Sequence, residues 1–211
     1  MTSSISHHPD AVTLVDYATG ALAPSLAAVV ATHLLLCSKC QMGVRTLEAV
    51  GGALLDGRNE HGAALPPAPV PATRASEAAT PGDSVQGLPR AALEAFGLGE
   101  AIPWKPLGLG VRHCRIRTGL RGGDLRLMKI APGTAVPEHG HGGTELTLVL
   151  AGAFADATGT YRRGDVQDVD GDVEHQPRVT PDAECICLVA SVAPARFTTL
   201  VGRLSQYWTG L

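Results

Sequence analysis

Apolar residues recur at helical spacing through the first quarter of the chain and alternate with polar ones through much of the second half, which predicts helices followed by a β-rich region. From Asp10 to about Leu22, Val12, Val15 and Ala18 offer an apolar stripe, and Gly20 stands close to the end of the helix they imply. Pro24 and Ser25 open a second helix in which Leu26, Val29, Val30, His33 and Cys37 recur. A third runs from about Gln41 to Leu55 and carries Val44, Leu47, Val50 and Leu54. Three such helices bury only a small core, and domains of that size often need a metal or a partner to hold together. Residues 58–88 are rich in Pro, Ala, Ser and Thr and lack aromatic side chains, so they read as an extended linker that cannot bury enough apolar surface to offset its ordering entropy. Beyond it, residues 89–98 predict a short helix. Residues 111–118, 124–130, 146–154, 184–191 and 196–202 predict strands between Gly, Pro and Asp turns, as in an antiparallel barrel.

The strand-rich half carries a dense set of ligand-type residues. Gly133, His139, His141, Glu145 and Gly152 stand in the order G-x5-H-x-H-x3-E-x6-G, and His175 follows at the start of what reads as another strand. Alternate side chains of a strand share a face, so His139 and His141 project together, and Glu145 can return beside them on an adjoining strand. Imidazoles with one carboxylate suit zinc, and equally iron, manganese or nickel.

A second cluster lies at the other end of the chain. His33, Cys37 and Cys40 form H-x3-C-x2-C, with His7 and His8 upstream. Residues four apart on a helix share a face, so His33 and Cys37 point the same way, and Cys40 falls one turn later at the helix end. The pattern fits tetrahedral zinc with His8 or His7 as fourth ligand. A bare C-x2-C also serves as a redox pair or as two core thiols.

Both clusters carry resemblances to known families. The run from Gly133 to Gly152 resembles the first motif of the cupin superfamily at every marked position. The second cupin motif, G-x5-P-x-G-x2-H-x3-N, is resembled in part: Gly164 and His175 keep their separation, whereas Asp170, Asp172 and Val179 stand in the Pro, Gly and Asn places. His8, His33, Cys37 and Cys40 resemble the signature of the zinc-binding anti-sigma factors. Here His8 is chosen over His7 because the family's first histidine precedes an aromatic helix position, which Tyr17 supplies. An anti-sigma zinc domain followed by a cupin resembles the ChrR family.

That resemblance implies an α + β two-domain protein: a zinc-binding three-helix bundle over residues 1–57, the linker, and an antiparallel cupin β-barrel over residues 89–211. It implies a cytoplasmic regulator, not an enzyme, that sequesters an extracytoplasmic-function sigma factor and releases it under photooxidative stress, notably singlet oxygen. His8, His33, Cys37 and Cys40 would hold zinc. His139, His141, Glu145 and His175 would hold zinc or another divalent transition metal in a sensing cupin. The family also places a fourth helix after the zinc bundle, and no convincing helix is legible in residues 58–88. A cupin metalloenzyme, a dioxygenase or isomerase with a zinc-stabilised helical appendage, is the alternative reading.

Composition narrows the setting. The chain has 211 residues, a hydrophobic content of 45% and a formal net charge of -3. That charge argues against direct nucleic-acid binding, so an effect on transcription would run through a protein partner. The apolar stretch at residues 26–37 is broken by His33 and too short to span a membrane, and the polar N-terminus does not resemble a signal peptide. Five cysteines in motif-like positions point to a reducing compartment and metal or thiol chemistry. Cys185 and Cys187 share a strand face. They read as buried core thiols, with redox sensing as the alternative. Arg112, Arg115, Arg117, Arg121 and Arg126 crowd two strands and read as a solvated outer face.

Overall fold

In a computed structural model of the chain, the described residues are 4–56, 84–99, 101–108, 110–117, 123–171, 174–193 and 195–197. Three helices come first: α1 (Ala11–Thr19), α2 (Pro24–Leu34) and α3 (Ser38–Asp56). Gly20 closes α1 in the left-handed conformation at φ 74°, its N–H returning to the carbonyls of Asp16 and Tyr17. Pro24 starts α2, where its missing N–H costs no helical bond. The third helix begins three residues earlier than its apolar period implies. Cys37 therefore lies in the break between α2 and α3, and Cys40 sits in the first turn of α3 rather than at the end of the second helix.

Among the described residues there follow a short helix, α4 (Arg90–Ala95), and thirteen strands: β1 (Ser84–Val85), β2 (Leu88–Pro89), β3 (Lys105–Gly108), β4 (Val111–Arg115), β5 (Asp124–Ile130), β6 (His139–His141), β7 (Glu145–Ala151), β8 (Ala153–Asp156), β9 (Gly159–Arg162), β10 (Val166–Val169), β11 (Arg178–Val179), β12 (Cys185–Ser191) and β13 (Ala195–Phe197). A six-stranded antiparallel sheet runs β10-β7-β12-β5-β4-β3, and a three-stranded sheet runs β11-β8-β9. Ile130, Val149, Cys185 and Cys187 from the larger sheet share one core with Phe154, Tyr161 and Val179 from the smaller. Among the described residues the sheets do not join into a closed barrel, so the expected barrel is an open pair of facing sheets. β6 pairs with β13 and not with β7, so Glu145 reaches the histidines from another sheet.

The large sheet is covered on both faces, and strand alternation divides the work. Leu146, Leu148 and Leu150 of β7, with Leu188 and Ala190 of β12 and Leu125 and Leu127 of β5, face one way; Glu145, Thr147, Cys187 and Arg126 line a cavity on the other. The first face is where α2 docks, placing Leu26, Val29 and Val30 in the same cluster as the strand leucines. Those three side chains are at most 3% exposed, and burying each stabilises the arrangement by roughly 1.5–3 kcal/mol. The helices thus share their core with the sheet instead of enclosing one alone. Val12 and Val15 turn outward at 72% and 42% exposure, while Thr13 is the buried residue of α1.

Two sequence expectations change at their edges. Residues 84–88, at the end of the expected linker, form a hairpin in which Gly87 passes so close to the Leu150 carbonyl that a Cβ would stand 2.2 Å from its oxygen. The remainder of that segment, 58–83, lies outside the described residues, as does Arg121. Arg126 is not on a solvated face: it is 4% exposed, paired with Asp124, and its guanidinium reaches Nδ1 of His113. Among the described residues no single helix is long and apolar enough to cross a membrane.

Candidate metal centres

His8, His33, Cys37 and Cys40 converge, each offering one ligand atom within 4.8 Å of the others. The His8 Nδ1 lies 3.5 Å from the Cys37 Sγ and 3.3 Å from the Cys40 Sγ. Tetrahedral zinc with ordinary Zn–N and Zn–S bonds places such donors about 3.6 Å apart, so these spacings are those of a coordination edge. The Nδ1 of His33 is 2.9 Å from the carbonyl oxygen of Gly164. A carbonyl only accepts, so the proton sits on Nδ1 and Nε2 remains as the ligand atom. That Nε2 is buried, and among the described residues it has no hydrogen-bond partner.

The electrostatics fit a cation. Burial pulls the His33 imidazole down to about 4, which keeps it neutral and able to ligate near neutral pH. Burial, then the adjoining Cys37 thiol, pushes the Cys40 thiol up to about 12. A metal ion reverses the pressure on the thiols, because a coordinated thiolate is stabilised where a bare one is not. His7 is elsewhere: its ring packs on Tyr161 with centroids 4.5 Å apart, and its Nδ1 contacts the Ser6 hydroxyl.

The second cluster comprises His139, Glu145 and His175, whose ligand atoms also lie within 4.8 Å of one another. A pair of backbone hydrogen bonds joins His139 to His175, and their rings stand 4.8 Å apart. His139 Nδ1 donates to the Pro137 carbonyl at 2.8 Å, and His175 Nδ1 meets Asp156 Oδ2 at 2.9 Å. Both contacts leave Nε2 for the cluster, the orientation metal-binding histidines adopt when a carbonyl or carboxylate holds the other ring nitrogen. His141 follows two residues after His139 on β6, and its side chain lies outside the described positions. The cluster opens on a cavity of about 340 Å³ lined by Met128, Ile130, Val136, Phe154 and Val179.

Sequence reasoning missed the groups that support these ligands. Asp156 takes hydrogen bonds from His175, Gln167 and Thr158; burial pushes its carboxyl up, and these bonds outweigh burial and hold it below its ordinary value. Asp165 is 2% exposed and binds the N-terminal segment. No spacing rule marks either residue. Cys185 and Cys187 are buried neighbours with Sγ atoms 3.5 Å apart, and the Cys185 contact together with burial pushes the Cys187 thiol well up.

Comparison with known proteins places this architecture. Residues 95–194 match the ChrR cupin-like domain family. The anti-sigma-E factor ChrR of Cereibacter sphaeroides is 38% identical over 219 aligned residues, covering 96% of this chain and 97% of that protein. The crystal structure of Rhodobacter sphaeroides SigE in complex with the anti-sigma ChrR contains a chain that matches with a TM-score of 0.72 at 37% identity, covering 89% of this chain and 100% of that one. Helices bearing a His/Cys cluster, a cupin-like pair of sheets and identity over nearly the whole length agree: the chain belongs to the ChrR family.

Proposed function

We propose that this protein is an anti-sigma factor that binds an extracytoplasmic-function sigma factor and keeps it from RNA polymerase, and that it is a regulator rather than an enzyme. The observation that carries the reading is the 38% identity to an anti-sigma-E factor across 96% of the chain. The surface agrees with it. Val12 and Val15 on α1 and Met42, Val50, Leu54 and Leu55 on α3 are large apolar side chains between 42% and 72% exposed, and exposed apolar helix faces of this kind serve as protein contacts. From sequence, the apolar faces around Leu26, Val29, Leu36 and Val44 are shared between the small core and the sigma interface; Leu26, Val29 and Val44 are buried in the core, so the outward faces of α1 and α3 are left for the interface.

His8, His33, Cys37 and Cys40 would hold zinc that ties the N-terminal segment to the α2–α3 break. A metal in the cupin, held by His139, Glu145 and His175 with His141 as fourth ligand, would supply the sensing element, and its loss or oxidation under singlet oxygen would loosen the grip on sigma in the cytoplasm. Cys185 and Cys187 are the competing sensors. Residues 1–57 and 89–211 are assigned to inhibition and sensing respectively. The reading is tested by co-expressing the full chain with an extracytoplasmic-function sigma factor. A one-to-one complex that blocks transcription from the cognate promoter supports it. Failure to bind any such factor, with turnover of small oxidisable substrates by the metal-loaded protein, would sink it.

A further inference from the structure

We propose that Asp165, on the turn between β9 and β10, is a positioning residue for the N-terminal metal site, so that the cupin is a working part of that site and not only its neighbour. The inference rests on reading His8, His33, Cys37 and Cys40 as metal ligands.

The placement of His8 has to be explained, because it lies in a segment with no secondary structure of its own before α1. Several groups from the cupin hold that segment, among them Asp168 Oδ2, which accepts the Asp10 N–H at 3.0 Å. Asp165 Oδ1 accepts the backbone N–H of Ser6 at 2.7 Å and of His7 at 3.0 Å, while its Oδ2 accepts the N–H of Arg162 at 2.8 Å. The Ser6 hydroxyl adds contacts to both carboxylate oxygens at 3.3 and 3.4 Å. The Val166 N–H donates to the His7 carbonyl at 3.1 Å, so the residue before the ligand is fixed from both sides. At Gly164, whose φ of 91° favours glycine, a Cβ would stand 2.6 Å from the Ile5 side chain, which would have to shift. The same Gly164 offers its carbonyl to His33 Nδ1. Two adjacent cupin residues thus orient two of the four ligands, one through the backbone that carries it and one through its ring.

The carboxylate is specifically suited to this. Its two oxygens accept N–H groups arriving from opposite sides, Ser6 and His7 on one and Arg162 on the other. An amide in its place has one accepting oxygen and would turn N–H₂ toward one of those donors. Asp165→Asn therefore breaks either the turn or the hold on the segment. Groups that orient metal ligands change affinity by about 10–100-fold when replaced.

The test is a cobalt(II) titration of the full chain, followed through the thiolate-to-cobalt charge-transfer absorption. Cys37 and Cys40 give rise to that band, whereas the cupin set offers only imidazole and carboxylate. Asp165→Asn should weaken cobalt binding in this band at least about tenfold. Ser6→Pro, which removes a donated N–H and leaves Asp165 bonded to Arg162, should act in the same direction even if the first variant unfolds the turn. Cupin thermal unfolding of Ser6→Pro should stay at the unaltered protein's value. Unchanged cobalt affinity in both variants overturns the proposal, as does weakening that only tracks a matching loss of cupin stability. If the unaltered protein shows no thiolate band, the ligand reading itself falls and this inference with it.

Discussion

The ring of His33 is tied to the carbonyl of Gly164 by a 2.9 Å hydrogen bond that spans 131 positions of sequence. It fixes the tautomer of a buried imidazole and aims Nε2 at Cys37, Cys40 and His8, so the helical site borrows its orientation from the cupin.

Removing a ligand from this site should dismantle the helices. In Cys37→Ala or His33→Ala the zinc content should fall by one equivalent, with a stability loss of more than ~4 kcal/mol for the helical part and no measurable sigma binding, because binding of a structural metal contributes directly to folding. Elemental analysis, circular dichroism and a binding assay check this. Full zinc content in either variant would show that the ligand set is misassigned.

The outward faces of α1 and α3 should carry the affinity for sigma. Val50→Asp and Leu54→Asp, at side chains 55% and 64% exposed, should leave the melting temperature unchanged. Each should weaken binding by about 2 kcal/mol, roughly thirtyfold in Kd, if it strikes an anchor of the interface. Calorimetry against the purified sigma factor reads this directly. Equal affinity in both variants would move the interface elsewhere.

Acid should release the N-terminal segment, and only in a defined range. Burial pushes the Asp165 carboxyl up, but the N–H groups of His7, Arg162 and Ser6 outweigh it and hold the group below its ordinary 3.8. A depressed carboxyl contributes stability that is present above the unfolded value and is lost as pH falls through the folded one. The protection factors of the Ser6 and His7 amides should therefore hold from pH 7 to 5 and fall below about pH 4. Protection already lost at pH 5 would show that another group controls the segment.

Replacing Glu145 or His175 should empty the cupin without touching basal inhibition. Both are buried with His139 in one cluster, far in sequence from the thiol site. Each alanine variant should lose one metal equivalent and still hold sigma, but should no longer release it under singlet oxygen. Cys185→Ser and Cys187→Ser serve as the parallel test. A normal response in the metal-free variants, with its loss only in the serine variants, would transfer sensing to the thiols.

Much of this architecture was legible because it obeys local periods. The predicted strand at residues 124–130 coincides with β5, and the predicted second helix starts at Pro24 as α2 does, since alternation and a proline at the first helical turn are properties of adjacent residues. What could not be read was which face of a periodic segment is inside. Val12 and Val15 make an apolar stripe, yet the stripe faces solvent and Thr13 is buried instead, its hydroxyl donating to Asp168 of the cupin at 2.7 Å. Likewise the spacing of His33, Cys37 and Cys40 announces a metal site, whereas Asp165 and the Gly164 carbonyl support it from across the fold. Backbone carbonyls and a lone aspartate leave no pattern in one sequence.

The long bond from His33 to Gly164 also sets an order of events during synthesis. His8, His33, Cys37 and Cys40 are all made early, but the groups that orient His8 and His33 emerge only after the chain has passed residue 165. Contacts of such separation form late, because loop closure must precede them. The candidate metal site on the first helices therefore acquires its full support only once the turn between β9 and β10 has emerged from the ribosome. The inhibitor therefore matures as a whole, and a ribosome that stalls within the cupin leaves helices whose Leu26, Val29 and Val30 have no sheet to cover them.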